Sequence, residues 1–75
     1  MPKLPRITAR KLLGVLLKLS FYVHHQSGSH VNLRHNFKNH LHIVVPIHYR
    51  ELAPKTLKSI LIQAEISVEE LVDLI

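Results

Sequence analysis

The chain has 75 residues, a net charge of +5 and no cysteine. We expect residues 1–75 to form a single domain, because a chain this short buries too little surface to divide between two cores. The lack of cysteine excludes a disulfide framework and a thiolate zinc site. No apolar stretch is long enough for a signal peptide or a membrane span, so we expect a cytoplasmic protein.

Charge is unevenly distributed along the sequence. Residues 1–50 carry eight Lys or Arg and no acid, a charge of +8, whereas residues 51–75 carry two Lys and five acids, a charge of −3. All seven histidines also lie in the first part. Lys and Arg replace the counterions condensed on phosphates, so this distribution favours nucleic acid as a partner. The alternative is a charge that serves only solubility.

The first element is predicted to be a helix. Thr8 is a suitable N-cap, and an apolar stripe with helical spacing follows it to about Leu19. The stripe consists of Ala9, Leu12, Leu13, Leu16 and Leu19. Arg10, Lys11 and Lys18 lie mostly off the stripe and are expected to face solvent.

After Ser20 the period changes to two, which predicts three strands in an antiparallel meander. The first strand is predicted to place Phe21, Val23 and His25 on one face and Tyr22, His24 and Gln26 on the other. Ser27 and Gly28 form a turn, and the second strand then places His30, Asn32 and Arg34 opposite Val31 and Leu33. In the third strand Leu41, Ile43 and Val45 alternate with His40, His42 and Val44, until Pro46 ends it.

Two helices are predicted to follow a loop over residues 47–53. Pro54 suits a first helical turn, and Leu57, Ile60, Leu61 and Ala64 supply the apolar face. Ser67 and Glu70 match a capping box that begins a short last helix, whose apolar face is expected to hold Leu71, Leu74 and Ile75. The result is an α+β fold, α-β-β-β-α with a short C-terminal helix. Its three-stranded antiparallel sheet is covered by helices on one face and polar on the other.

His30 is the first candidate for chemistry, because the turn Gly28-Ser29 delivers it to the head of a strand. Histidine ordinarily titrates near neutral pH, so a fixed imidazole can deprotonate a ribose 2′-hydroxyl for attack on the adjacent phosphate. Arg34 shares its face, but about 13 Å of strand separates the two backbones, so Arg34 is expected to bind a neighbouring phosphate. A lone surface histidine is more often without chemistry.

The remaining histidines and the tyrosines have other interpretations. His40-x-His42, with His24, His30 or His35 across the strands, suggests a metal site. The absence of cysteine and of any acid before Glu51 argues against it, and we predict neither metal nor cofactor. Tyr22 and Tyr49 are interpreted as packing residues.

Short segments along nearly the whole chain, in the same order and spacing, resemble the HicA toxins, also called YcfA-like proteins. The segments are Pro5-Arg6-Ile7-Thr8-Ala9-Arg10-Lys11-Leu12, Leu19-Ser20-Phe21, Gln26-Ser27-Gly28-Ser29-His30, Arg34-His35, Val45-Pro46-Ile47-His48, Glu51-Leu52, Thr56-Leu57-Lys58-Ser59-Ile60-Leu61, Gln63-Ala64 and Ile66-Ser67.

The resemblance implies a fold similar to a double-stranded-RNA-binding domain and a type II toxin that cleaves mRNA without a metal. It places the catalytic histidine at His30 and implies a cognate HicB antitoxin as partner. We expect Lys11, Asn32, Arg34 and Lys38 to bind RNA, with Gly28 and Ser29 positioning the site. The alternatives are a non-catalytic double-stranded-RNA-binding module and a degenerate, inactive toxin.

Some positions depart from the family pattern or stay open. Glycine is usual where this chain has Ser20, Lys55 and Glu65, at helix ends or loops where a positive φ is expected, so each replacement is expected to lower stability. Val31 stands where a second histidine or an aromatic residue is common. The second proton-transfer group is open among His24, His35 and His48.

Overall fold

A computed structural model describes residues 3–48 and 50–75; Tyr49 lies outside them. The elements are α1 (Ala9–Lys18), β1 (Phe21–Ser27), β2 (His30–His35), β3 (His42–Pro46), α2 (Pro54–Ala64) and α3 (Val68–Leu74). The strands form one antiparallel sheet in the order β1-β2-β3. This confirms the predicted α+β arrangement of a helix, a three-stranded meander, a second helix and a short final helix.

The helices begin where their capping residues predict. The Thr8 hydroxyl accepts a hydrogen bond from the Lys11 amide at 3.2 Å, which satisfies one of the free donors at the start of α1. At α3 the capping box is complete, with Ser67 accepting from the Glu70 amide and Glu70 accepting from the Ser67 amide. α2 begins at Pro54, whose missing N–H costs nothing in a first turn.

The core lies between the helices and one face of the sheet. Its largest fully buried side chains are Leu12, Leu16, Leu33, Ile43, Val45, Leu57 and Leu71. They come from all three helices and from β2 and β3, so apolar burial joins every layer of the fold. In α3 only Leu71 is buried and Leu74 is half-buried; Ile75 is 41% exposed, so its assignment to the apolar face was wrong.

No helix among the described residues covers the other face of the sheet, and we call it the open face. Directly opposed residues of antiparallel strands point to the same face, so the ladder register identifies its members. These are Tyr22, His25 and Ser27 on β1, His30, Asn32 and Arg34 on β2, and His42, Val44 and Pro46 on β3. All of them are exposed or half-buried, whereas Val31, Leu33, Ile43 and Val45, on the opposite face, are buried.

The predicted faces of β1 were wrong beyond Val23, because the strand contains a bulge. Val23 pairs with Leu33 but His25 pairs with Asn32, so His24 is an extra residue without a partner across the ladder. One inserted residue reverses the alternation of the residues after it. His25 therefore lies on the open face with Asn32, and Gln26 faces the side of Val31.

The predicted third strand began too early. β3 starts at His42, and His40 lies before it with its Nε2 3.0 Å from the Glu65 carboxylate at the end of α2. His42 instead faces Asn32. The two imidazoles therefore do not share a strand face.

His35 is a structural residue at the end of β2. Its ring packs edge-to-face on Phe21 with centroids 4.8 Å apart, and its Nε2 lies 2.9 Å from the Leu19 carbonyl. Nδ1 accepts hydrogen bonds from the amides of Phe37 and Lys38 at 3.1 and 3.0 Å. Because Nδ1 accepts, Nε2 carries the proton and donates to Leu19, so one neutral imidazole joins the end of α1 to the β2–β3 loop.

Two of the three positions at which glycine was expected do adopt a left-handed backbone. Ser20 has φ 74° and Glu65 has φ 58°, and these are the positive-φ residues other than glycine among those described. Lys55 instead lies in the first turn of α2, so the expectation of a positive φ there was wrong. A side chain is disfavoured in the left-handed region because its Cβ approaches the following carbonyl oxygen.

We predict opposite effects of glycine at two of these positions. Ser20→Gly should raise the free energy of unfolding by roughly 0.5–1 kcal/mol, because glycine adopts a positive φ without strain. Lys55→Gly should lower it by a similar amount, about 0.5–1 kcal/mol, since glycine in a helix loses more chain entropy on folding. Urea unfolding of both variants against wild type measures the two changes, and the same sign for both would contradict the backbone assignment.

We also predict that His35→Ala lowers the free energy of unfolding by about 2–3 kcal/mol. The change removes three hydrogen bonds and the ring contacts with Phe21 and Phe37, and it leaves two loop amides without their acceptor. His24→Ala is the matched control, because this exposed histidine should change stability by less than about 0.5 kcal/mol. Equal midpoints in urea for the two variants would refute a structural role for His35.

Candidate active site

The β1–β2 hairpin fixes the position of His30. Ser27 and His30 are the pair that closes it, and only Gly28 and Ser29 lie between them. Gly28 has φ 56°, whereas Ser29 does not adopt a positive φ. This is the sign pattern of a type II′ turn, whose first central position favours glycine. On the other side β2 pairs with β3, and the Ile47 amide donates to the Ser29 carbonyl. Gly28 and Ser29 are thus held from both sides.

Three of the predicted site residues share the open face. His30 stands opposite Ser27 and Pro46, and Asn32 stands opposite His25 and Val44. Arg34 is the farthest along the strand, and it stands opposite Tyr22 and His42. The spacing of two residues per step places Arg34 about 13 Å from His30 along β2, as expected from the sequence.

Tyr22 does not have the packing role predicted for it. It is 40% exposed on the open face rather than packed in the core, and it lies next to Arg34. Its ring therefore adds an aromatic surface to a face of imidazoles, an amide and a guanidinium.

Asn32 and His42 contact each other on the open face. The Nε2 atom of His42 lies 3.3 Å from the Oδ1 atom of Asn32. With the proton on Nε2, His42 donates to this oxygen and orients the amide. The amide N–H groups of Asn32 are then directed away from His42, where they can donate to a phosphate oxygen.

The other two predicted RNA contacts lie elsewhere. Lys11 is exposed on α1, which packs on the covered face of the sheet, and it lines grooves together with Arg6, Arg10 and Lys18. Lys38 is exposed in the β2–β3 loop, beyond the end of β2 that is farthest from His30. The structure therefore brings His30, Asn32 and Arg34 onto one face and places Lys11 and Lys38 outside it.

The candidates for a second proton-transfer group are not equivalent. Both ring nitrogens of His35 are engaged by the backbone, so His35 is not available. His48 is exposed beyond the end of β3, and His24 is the exposed extra residue of the bulge. His25 is the residue that the sequence pattern missed, because the four residues of β1 after Val23 are all polar and nothing apolar indicates the register.

The open face carries no carboxylate, since the first acid of the sequence is Glu51. Among residues 3–48 and 50–75, no three or more His, Cys, Asp or Glu side chains are arranged to hold a metal ion. The grooves that Lys11 lines lie against α1 and do not include His30. His30 thus stands on an accessible, acid-free surface, which suits an extended polyanion better than a small enclosed ligand.

None of the helices within the described part of the chain has both the length and the apolar character needed to cross a bilayer.

Comparison with known proteins identifies the family of this chain. A family model for the HicA toxin of bacterial toxin–antitoxin systems matches residues 9–66, a range that extends from the start of α1 past the end of α2 and includes the hairpin of His30. No curated protein sequence matches the chain. The family match covers well over half of the 75 residues, and the chain therefore belongs to the HicA toxin family.

Proposed function

We propose that this protein is the toxin of a type II toxin–antitoxin pair and acts as a metal-independent endoribonuclease on mRNA, with His30 as a general base or acid. Toxins of this family are generally RNA-cleaving, and membership supports the general activity. The observation that carries the specific proposal is the exposed imidazole of His30, fixed by the hairpin turn on a surface without acids.

The chemistry requires a group that takes the proton from a ribose 2′-hydroxyl. A neutral imidazole does so near neutral pH, and the resulting 2′-oxygen attacks the adjacent phosphorus. No carboxylate is needed for this step, which fits a sheet on which none occurs. Charge that builds up on the phosphate oxygens is stabilised by fixed N–H donors.

Asn32 and Arg34 are the nearest candidates for those donors. The Asn32 amide lies one step along β2 from His30, and its orientation by His42 suits a phosphate oxygen. Arg34, one step farther, suits the next phosphate of the same strand, because its position is too distant for the reacting group. Lys11 and Lys38 are proposed as contacts to more distant phosphates of an RNA that extends beyond the open face.

A HicB antitoxin is the proposed protein partner. Toxins of this family act in toxin–antitoxin pairs. The exposure of His30, Arg34 and Tyr22 means that one protein covering the open face would block both the proton transfer and the binding of RNA. Growth arrest on expression of this chain, relieved by a neighbouring open reading frame, is the expected behaviour in cells.

The decisive prediction is RNA cleavage in the presence of EDTA. Wild type should cleave RNA, while His30→Ala should be slower by roughly 100-fold or more, the usual contribution of a general acid or base. His40→Ala is the control: it replaces another exposed histidine, one that contacts Glu65 rather than the open face, and it should cleave as wild type does.

Each other outcome identifies an alternative. Equal cleavage by wild type and His30→Ala would sink the assignment of His30. RNA binding by wild type without cleavage would favour a non-catalytic RNA-binding module or a degenerate toxin. Cleavage that stops in EDTA would indicate a metal-dependent reaction.

We predict that Lys11→Gln and Lys38→Gln weaken RNA binding without slowing the reaction of bound RNA. Each change should reduce the slope of log K against log salt by about 0.7–0.9, the value for one phosphate contact. Affinities are measured in the His30→Ala background, and single-turnover rates in otherwise wild-type protein at saturating concentration. Glu69→Gln, on the acidic last helix, is the control and should leave the slope unchanged.

A further inference from the structure

The bulge in β1 has a specific effect on the open face: it brings His25 beside His30. Without the bulge, the register of Val23 with Leu33 would continue along the strand, so that His24 would stand opposite Asn32 and His25 opposite Val31, on the covered side. With it, His25 stands directly opposite Asn32, the neighbour of His30 on the same face of β2. Bulges are known to redirect single side chains in this way, often next to active sites.

The two imidazoles lie at a distance suited to one phosphodiester. His25 and His30 are diagonal neighbours across adjacent antiparallel strands, which places their backbones about 7–8 Å apart, within reach of long or aromatic side chains. Both side chains are exposed. A phosphate above this part of the sheet would therefore have one imidazole on each side, with the Asn32 amide next to both.

The other histidines are less well placed. His42 stands opposite Arg34, two steps along the sheet from the pair of His30 and Pro46, and its Nε2 contacts Asn32. The ring nitrogens of His35 are engaged by the backbone. His24 has no partner in the ladder, and His48 lies beyond the end of β3. The register thus singles out His25.

We infer that His25 is the second proton-transfer group of the reaction; this inference rests on the proposed function of His30. Neutral His30 accepts the proton of the 2′-hydroxyl while the 2′-oxygen forms a bond to phosphorus. The bond from phosphorus to the 5′-oxygen breaks, and protonated His25 donates its proton to that oxygen. The products are a 2′,3′-cyclic phosphate and a 5′-hydroxyl end. One proton is taken from the ribose 2′-hydroxyl and one is given to the leaving 5′-oxygen, so the protons balance.

The test uses a leaving group that needs no proton. An oligoribonucleotide spanning a site cleaved by wild type is made in two forms, one with the normal 5′-oxygen at that site and one with sulfur in its place. Because a thiol is far more acidic than an alcohol, a thiolate departs without general-acid assistance. His25→Ala should cleave the normal form roughly 100-fold or more slowly than wild type and the sulfur form within about threefold of wild type.

Matched variants separate this role from others. His30→Ala should be slow on both forms, because the 2′-hydroxyl still needs a base. His24→Ala, which changes the adjacent exposed histidine, should resemble wild type on both forms. His25→Gln retains a polar side chain and should behave as His25→Ala does, and circular dichroism of each variant checks that the fold is intact.

Several outcomes would overturn the inference. Normal rates for His25→Ala, or an equal loss on both substrates, would remove His25 from the leaving-group step while leaving the assignment of His30 intact. Rescue by sulfur in His24→Ala or His48→Ala instead would assign the step to that residue. Failure of wild type to cleave any RNA, or full activity of His30→Ala, would refute the proposed function and this inference together.

Discussion

The burial of Val31 and Leu33 in the central strand determines the arrangement of the open face. Both side chains are buried against the helices, and the strict alternation of a strand then directs His30, Asn32 and Arg34 to the opposite side. A slip of one residue would bury these polar groups and expose the two apolar ones, which makes the register costly to change. The same contacts that stabilise the fold therefore hold the candidate site in place.

Negative charge in this protein lies on the last helix and not on the sheet. The acids Glu69, Glu70 and Asp73 lie on α3, and two of them occupy its first turn, where negative charge stabilises a helix N-terminus. Glu70 also completes the capping box. The sheet is left without acids, so an approaching RNA meets no repulsive group on the open face.

Sequence patterns predicted the elements well, because capping residues and apolar periods are local signals. Thr8, Pro54 and Ser67 each mark a helix start that the structure confirms. The strand alternation also gave the correct faces for β2, where Val31 and Leu33 define the register. It failed in β1 because the residues from His24 to Ser27 include no apolar side chain that could reveal a bulge.

Side-chain roles that depend on tertiary contacts were harder to predict. The sequence leaves His35 among the candidates for a second proton-transfer group, since nothing in it shows that the Leu19 carbonyl and two loop amides surround its ring. Positive charge alone predicts the same role for Lys11 as for Arg34, although α1 packs on the covered side of the sheet. The positive φ expected at Lys55 came from the glycine that is usual at this position in the family. It does not occur here, because α2 already includes Lys55.

The hydrogen bonds to His35 also bear on the dynamics of the β2–β3 loop. Phe37 and Lys38 are exposed and lie outside any helix or strand, and amides in such loops ordinarily exchange their hydrogens with solvent through small local openings. Here both N–H groups are held by the Nδ1 atom of a ring that also contacts Phe21 and Leu19. Releasing them requires the loop to separate from a ring that is anchored on Phe21 and Leu19, so these two amides report on the contact between the β2–β3 loop and the end of α1.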